Sequence, residues 1–111
     1  MSEKVGDHEQ MKRLTKKLRA QLPRLGATAE VEDPTVICKF FTPDGHWTWY
    51  GIEFDGEDIF YGFVDGDFPE FGTFRLSELK QIRGALGLPI ERDRFFVPCP
   101  ASQIQAQCKD R

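Results

Sequence analysis

The chain has 111 residues, 40% of them hydrophobic and 30% charged, and a net charge of −3. That length supports one hydrophobic core in a single domain, 1–111, and the composition excludes a disordered or membrane-embedded chain. No apolar run approaches the roughly 18–20 residues that span a bilayer, MSEKVGDHEQMKR lacks the apolar segment of a secretion signal, and Cys38, Cys99 and Cys108 form no CxxC, so a cytoplasmic, reducing location is expected.

The first predicted element is a helix over residues 7–22. Met11, Leu14, Leu18 and Leu22 recur at helical spacing on one face, while Lys and Arg fill the others. Asp7 and Gln10 form a candidate capping box, and Glu9 can pair with Arg13. Pro23 ends the helix, because it lacks an amide proton and disfavours helical backbone at Leu22. The first 25 residues carry seven Lys and Arg against three acidic residues, which leaves an acidic body. Such a body binds phosphate poorly, so nucleic-acid contact is expected only through the basic N-terminal helix. A solvated helix face accounts for the same charges. RLGATAEVEDP then reads as irregular connection.

From Thr35 the pattern becomes that of strands. TVICKFFT, HWTWYGIEF and DIFYGFVDG are rich in β-branched and aromatic residues and are separated by Pro-Asp-Gly and Asp-Gly turns, which predicts an antiparallel meander. GTFRL can add a fourth strand. Ser77 is placed to cap a short helix over 78–83, ended by Gly84 or Gly87, and RFFVP, residues 94–98, can supply an edge strand. The polar tail, 101–111, is expected to be flexible or briefly helical. The fold class is therefore α+β: a three- to five-stranded antiparallel meander over 35–76, an N-terminal amphipathic helix, and a short helix after the fourth strand within 77–98.

Turn register decides which side chains share a face. A three-residue loop at Pro43, Asp44 and Gly45, with Gly45 left-handed, sets Phe40 opposite Thr48 and Cys38 opposite Tyr50. One face then collects Val36, Cys38, Phe40, Tyr50, Ile52, Phe54, Ile59, Tyr61 and Phe63 as core. The other collects Lys39, Phe41, Trp47, Trp49, Gly51, Phe60 and Gly62, a mixed aromatic surface with bare backbone at its glycines and Lys39 able to sit over an indole. This is the candidate surface for a protein partner, or for closing a homodimer. The competing reading is that the first helix fills it, with Leu14 and Leu18 against the tryptophans. A one-residue shift in register would exchange the two faces.

The acidic groups at Asp55, Glu57 and Asp58, and at Asp65, Asp67 and Glu70, are oxygen donors, but they lack calcium-loop spacing and read as turn residues. His8 and His46 have no cysteine at zinc spacing, so neither a metal nor a cofactor is expected. RGALGLPIERD places Arg83, Glu91, Arg92 and Asp93 in a polar corner, suited to fixing a loop or to charged recognition. Walker, dinucleotide-binding and Gly-x-Ser-x-Gly motifs are absent, no catalytic residue is identified, and a non-enzymatic role is expected.

From about Leu14 to Pro100 the chain resembles the bacterial domain of unknown function 2958 family. The likeness lies in LTKKLRAQLPRL, KFFTPDGHWTWYGIEFDGEDIFYGFVDG and FRLSELKQIRGALGLPIERDRFF, in that order. The resemblance implies an accessory protein of plasmids or other mobile elements and supplies no catalytic residues. The resulting expectation is a small interaction module that binds a protein through the aromatic sheet face. The alternatives are an anti-defence protein whose acidic body imitates DNA, and an enzyme built on Glu91, Arg92 and Asp93.

Overall fold

A computed structural model describes residues 14–109. Asp7, Glu9, Gln10, Met11 and Arg13, and with them the capping box assigned to the first helix, lie outside the described residues. Within them, the helix α1 spans Lys16–Gln21 and begins at Thr15, whose hydroxyl accepts the Leu18 amide at 3.1 Å. Leu22 turns extended ahead of Pro23, as the proline requires.

The strands β1 (Thr35–Val36), β2 (Cys38–Phe41), β3 (Thr48–Phe54), β4 (Ile59–Asp65) and β5 (Pro69–Arg75) follow in order. The helix α2 (Leu76–Gln81) comes next, then β6 (Glu91–Arg92), β7 (Cys99–Pro100) and the helix α3 (Ala101–Lys109). The main sheet is five-stranded and antiparallel, ordered β5-β4-β3-β2-β6, and β1 pairs with β7 beside it. The fold is thus the α+β meander expected, with a helix after its long strands.

The β2–β3 turn differs from expectation. Its loop has four residues, 43–46, closed by the Thr42 amide donating to the Trp47 carbonyl at 3.0 Å. The Trp47 amide returns a bond to Thr42 Oγ1 at 3.1 Å, and Gly45 is not left-handed. Phe40 therefore opposes Trp49, and Lys39 opposes Tyr50. This one-residue shift moves Trp49 onto the face of Phe40 and sends Lys39 and Phe41 to the other.

Both faces of the sheet are covered. On one, Leu14, Leu18 and Leu22 join Leu76, Leu79 and Ile90 over Phe40, Trp49, Phe54, Phe60 and Phe74. Phe60 is the hub, stacked on Phe54 and Phe74 at 4.3 and 5.1 Å between ring centroids and meeting Phe40 edge-on at 5.6 Å. On the other, Ala101 and Ile104 of α3 cover Val36, Tyr50, Ile52 and Phe63. The tail expected to be flexible or briefly helical is a nine-residue helix, held because two of its side chains are in the core. The edge strand expected at 94–98 is instead β6, because the Asp93 carboxylate accepts the Phe95 amide at 2.9 Å and turns the chain away.

Candidate functional site

The residues assigned to one aromatic surface fall in three environments. Phe60, Trp49, Gly51 and Gly62 are buried, so the face meant to present them is filled, with Leu14 and Leu18 in the same core cluster as Trp49. Lys39 and Phe41 lie on the opposite face. Lys39 sits 5.9 Å over the Tyr50 ring, not over an indole, and its Nζ is 3.8 Å from the Asp93 carboxylate. Only Trp47 keeps substantial exposure, 37%, while its ring stacks on Trp49 at 5.8 Å.

Trp47 forms one wall of a cavity at the end of the sheet. Trp47, just ahead of β3, and Trp49 within it are two residues apart along extended chain and so point the same way. The opposite wall is the chain leaving α2, Ile82 to Ala85, and Thr42, Asp44 and His46 close the hairpin side around about 420 Å³. The walls are tied together by Asp44, whose Oδ2 accepts the amides of Leu86 at 2.7 Å and Leu88 at 3.2 Å. Gly84 leaves room for this carboxylate: a Cβ there would lie 1.5 Å from Asp44 Oδ1, so a larger residue would displace Asp44 from its bonds. Gly66 serves similarly under the indole of Trp47, where a Cβ would come within 2.3 Å.

Arg83 belongs to this cavity and not to the polar corner. Its Nη1 donates to the carbonyls of Lys80 and Ile82, both at 2.9 Å, which fixes the guanidinium at the rim. His46 Nε2 lies 3.2 Å from Asp67 on the outer side. The lining is mainly indole and aliphatic carbon with a few polar groups at the rim, a composition suited to an inserted side chain. The polar corner keeps Glu91, Arg92 and Asp93 and gains Lys39, Phe41 and the exposed Phe95 around about 360 Å³.

A third cavity, of about 510 Å³, lies between the 25–34 segment and the sheet, lined by Leu25, Val31, Tyr61, Phe71 and Thr73 among others. Its floor includes Glu53, which is 4% exposed. Burial opposes ionisation of Glu53, but the Thr28 hydroxyl and the amides of Gly26 and Thr28 all bond to its carboxylate and together hold its pKa below the ordinary value. Glu53 is therefore a structural anion that pins the 26–28 turn.

The acidic residues are largely engaged in local architecture. Asp55 Oδ1 accepts the amides of Glu57, Asp58 and Ile59, and Asp58 accepts the amide and hydroxyl of Ser77. Among the described residues no group of three or more His, Cys, Asp or Glu side chains could hold a metal ion, and no helix is long and apolar enough to cross a membrane. Sequence reasoning missed Asp44, Ile82 and Gly84 as partners of Trp47. Pro-Asp-Gly carries a turn signal, and nothing local marks that Asp44 reaches past it to residues 86 and 88.

A family model described as "Protein of unknown function (DUF2958)" matches residues 9–106. No curated protein and no solved structure matches the chain.

Proposed function

The chain belongs to the DUF2958 family, and from that premise we propose that it is a non-enzymatic interaction module, an accessory protein of a bacterial mobile element, that grips a protein partner through the cavity beside Trp47. The observation that carries this reading is the indole of Trp47, 37% exposed yet held by stacking on the buried Trp49. A pre-ordered aromatic wall loses little side-chain entropy when a partner binds, and such residues dominate binding energy at interfaces. Asp44 fixes the opposite wall, so the cavity exists before any partner arrives.

The bound form has one partner side chain seated between the indoles and the Ile82–Ala85 wall, with Arg83 and His46 at the rim. The mobile-element setting comes from the family resemblance. The engagement of Asp55 and Asp58 in turns and caps favours this reading over DNA mimicry, because a mimic needs its carboxylates free to meet cations.

Affinity capture from a bacterial lysate, with wild type and Trp47→Ala as baits, tests the proposal. A partner recovered by wild type and lost with Trp47→Ala is the expected result. Equal recovery by both, or no specific partner with wild type, overturns it.

A further inference from the structure

We propose a second interaction surface, independent of the Trp47 cavity: the outer edge of β5, which takes an extended peptide as an added antiparallel strand. β5 is one outer strand of the main sheet, and all of its residues are in register with β4. The register runs without a break from Asp65↔Pro69 to Ile59↔Arg75, so inward and outward backbone groups alternate strictly along it.

Two observations fix which groups point outward. The Arg75 amide donates to the Glu78 carboxylate at 3.2 Å, away from β4. Pro69, at the same parity, has no amide proton to give, which suits the outer side of an edge strand. The amides and carbonyls of Phe71 and Thr73 therefore face out. Among the described residues no backbone–backbone bond beyond the β4 ladder reaches residues 69–74.

The chemistry of this edge names its occupant. Paired amide and carbonyl groups two residues apart are matched by another extended backbone. Residues of a guest strand directly opposite Phe71 and Thr73 would send their side chains to the same face of the sheet. On that face Phe71, Thr73, Tyr61, Val31 and Leu25 line the cavity of about 510 Å³. The guest is thus a segment of about five residues with apolar side chains two positions apart. At Gly72 a Cβ would meet nothing within 4 Å, so the middle of the strand is open on the other face. A second copy of β5 fits less well: pairing centred on Gly72 sets Glu70 against the Phe74 ring of the copy, with no cation opposite.

The test has two parts. In the free chain, amide exchange followed by NMR should show Phe71 and Thr73 exchanging at least tenfold faster than the inward-facing Gly72 and Phe74. Protection of Phe71 and Thr73 in the free monomer, or protection that appears only as concentration rises, overturns the proposal; the latter assigns the edge to a second copy. A display library of random heptapeptides is then selected on the full chain. Winners should carry apolar residues two positions apart, and the synthetic winner should slow exchange at Phe71 and Thr73. Thr73→Pro, which removes an outward amide, should weaken that peptide at least tenfold, while Thr73→Val, which keeps the amide, weakens it far less and Trp47→Ala leaves it unchanged. No winner, or one indifferent to Thr73→Pro and lost with Trp47→Ala, overturns the edge site and leaves the Trp47 reading to stand on its own capture result. If Thr73→Pro does not fold, the exchange data on the wild-type chain decide.

Discussion

Asp33 caps a helix that begins nearly seventy residues later: its carboxylate accepts the Ser102 amide at 3.0 Å and the Ser102 hydroxyl at 2.6 Å. Asp58 does the same for α2 through the amide and hydroxyl of Ser77, at 2.8 and 2.9 Å. In both helices the preceding amide is also taken by the backbone of the capping segment, Ala101 by Pro34 and Leu76 by Asp58. Each helix is thereby started by a distant aspartate, and its orphan amides are satisfied through the tertiary fold.

These caps make stability depend on pH. The Ser102 hydroxyl and amide hold the Asp33 pKa below its ordinary value, and the Ser77 amide does most to hold Asp58 low. Between the native pKa values and the unfolded value of about 4 the unfolded chain binds more protons, so stability rises with pH there. The contribution is fully present above about pH 4 and is lost as pH falls through the native values. Urea midpoints measured from pH 6 down to pH 2.5 should therefore fall. The fall should be shallower in Asp33→Asn with Asp58→Asn, which keeps capping oxygens and removes the titration.

Gly51, Gly62 and Gly72 stand in one row across β3, β4 and β5, yet only part of the row is constrained. A Cβ at Gly62 would lie 1.8 Å from the Tyr50 carbonyl oxygen, a backbone atom that cannot step aside. Gly62→Ala should cost about 3 kcal/mol or prevent folding, a loss typical of forced overpacking. Gly72→Ala should stay within about 0.5 kcal/mol of wild type. Thermal unfolding of the two variants checks the contrast.

Glu53 holds the Gly26–Thr28 turn through bonds that replace its hydration. Glu53→Ala leaves two amides to find other partners, and should cost about 2 kcal/mol. It should also raise proteolysis within residues 24–34, which limited digestion and mass spectrometry would locate.

Cys38 is 2% exposed, and burial pushes its thiol pKa up to about 12, with Arg92 and the Gly51 amide only partly offsetting it. It should resist alkylation at pH 8 in the native chain and react once denatured, because the thiolate is the reactive form. Cys99 and Cys108 are partly exposed and should both react before it.

Trp47 and Trp49 are not interchangeable probes. Trp49 is 6% exposed in the core, so Trp49→Ala should cost about 3–5 kcal/mol. Trp47→Ala gives up a stacking contact and some surface burial, about 1 kcal/mol, and should remain folded. Denaturant titration of both variants separates them, and it identifies Trp47→Ala as the clean control for binding.

Much of the fold is legible in the residues. Leu14, Leu18 and Leu22 mark a helix face, Pro23 marks its end, and the aromatic runs separated by Asp-Gly mark the meander, because each signal acts within a few residues of itself. At Asp55 the turn signal also describes the geometry, since its side chain bonds the amides of the next turn. The C-terminal helix was not legible in the same way. ASQIQAQCK is weakly apolar, and it is held by Asp33 and by the packing of Ala101 and Ile104, which are brought together only when the chain folds back.

The candidate site shows the division most clearly. By itself the sequence determined that Trp47 and Trp49 point the same way, since strand side chains alternate with a period of two. Which face they share was a tertiary outcome. Thr42 and Trp47 close the β2–β3 loop one residue longer than its glycine suggested, while Asp44 is drawn out to the amides of Leu86 and Leu88. A single residue of register exchanges every side chain between faces, so the four-residue loop closed by Thr42 and Trp47, whose Asp44 is bonded to a segment more than forty residues away, goes with Trp49 in the core and Trp47 at the surface.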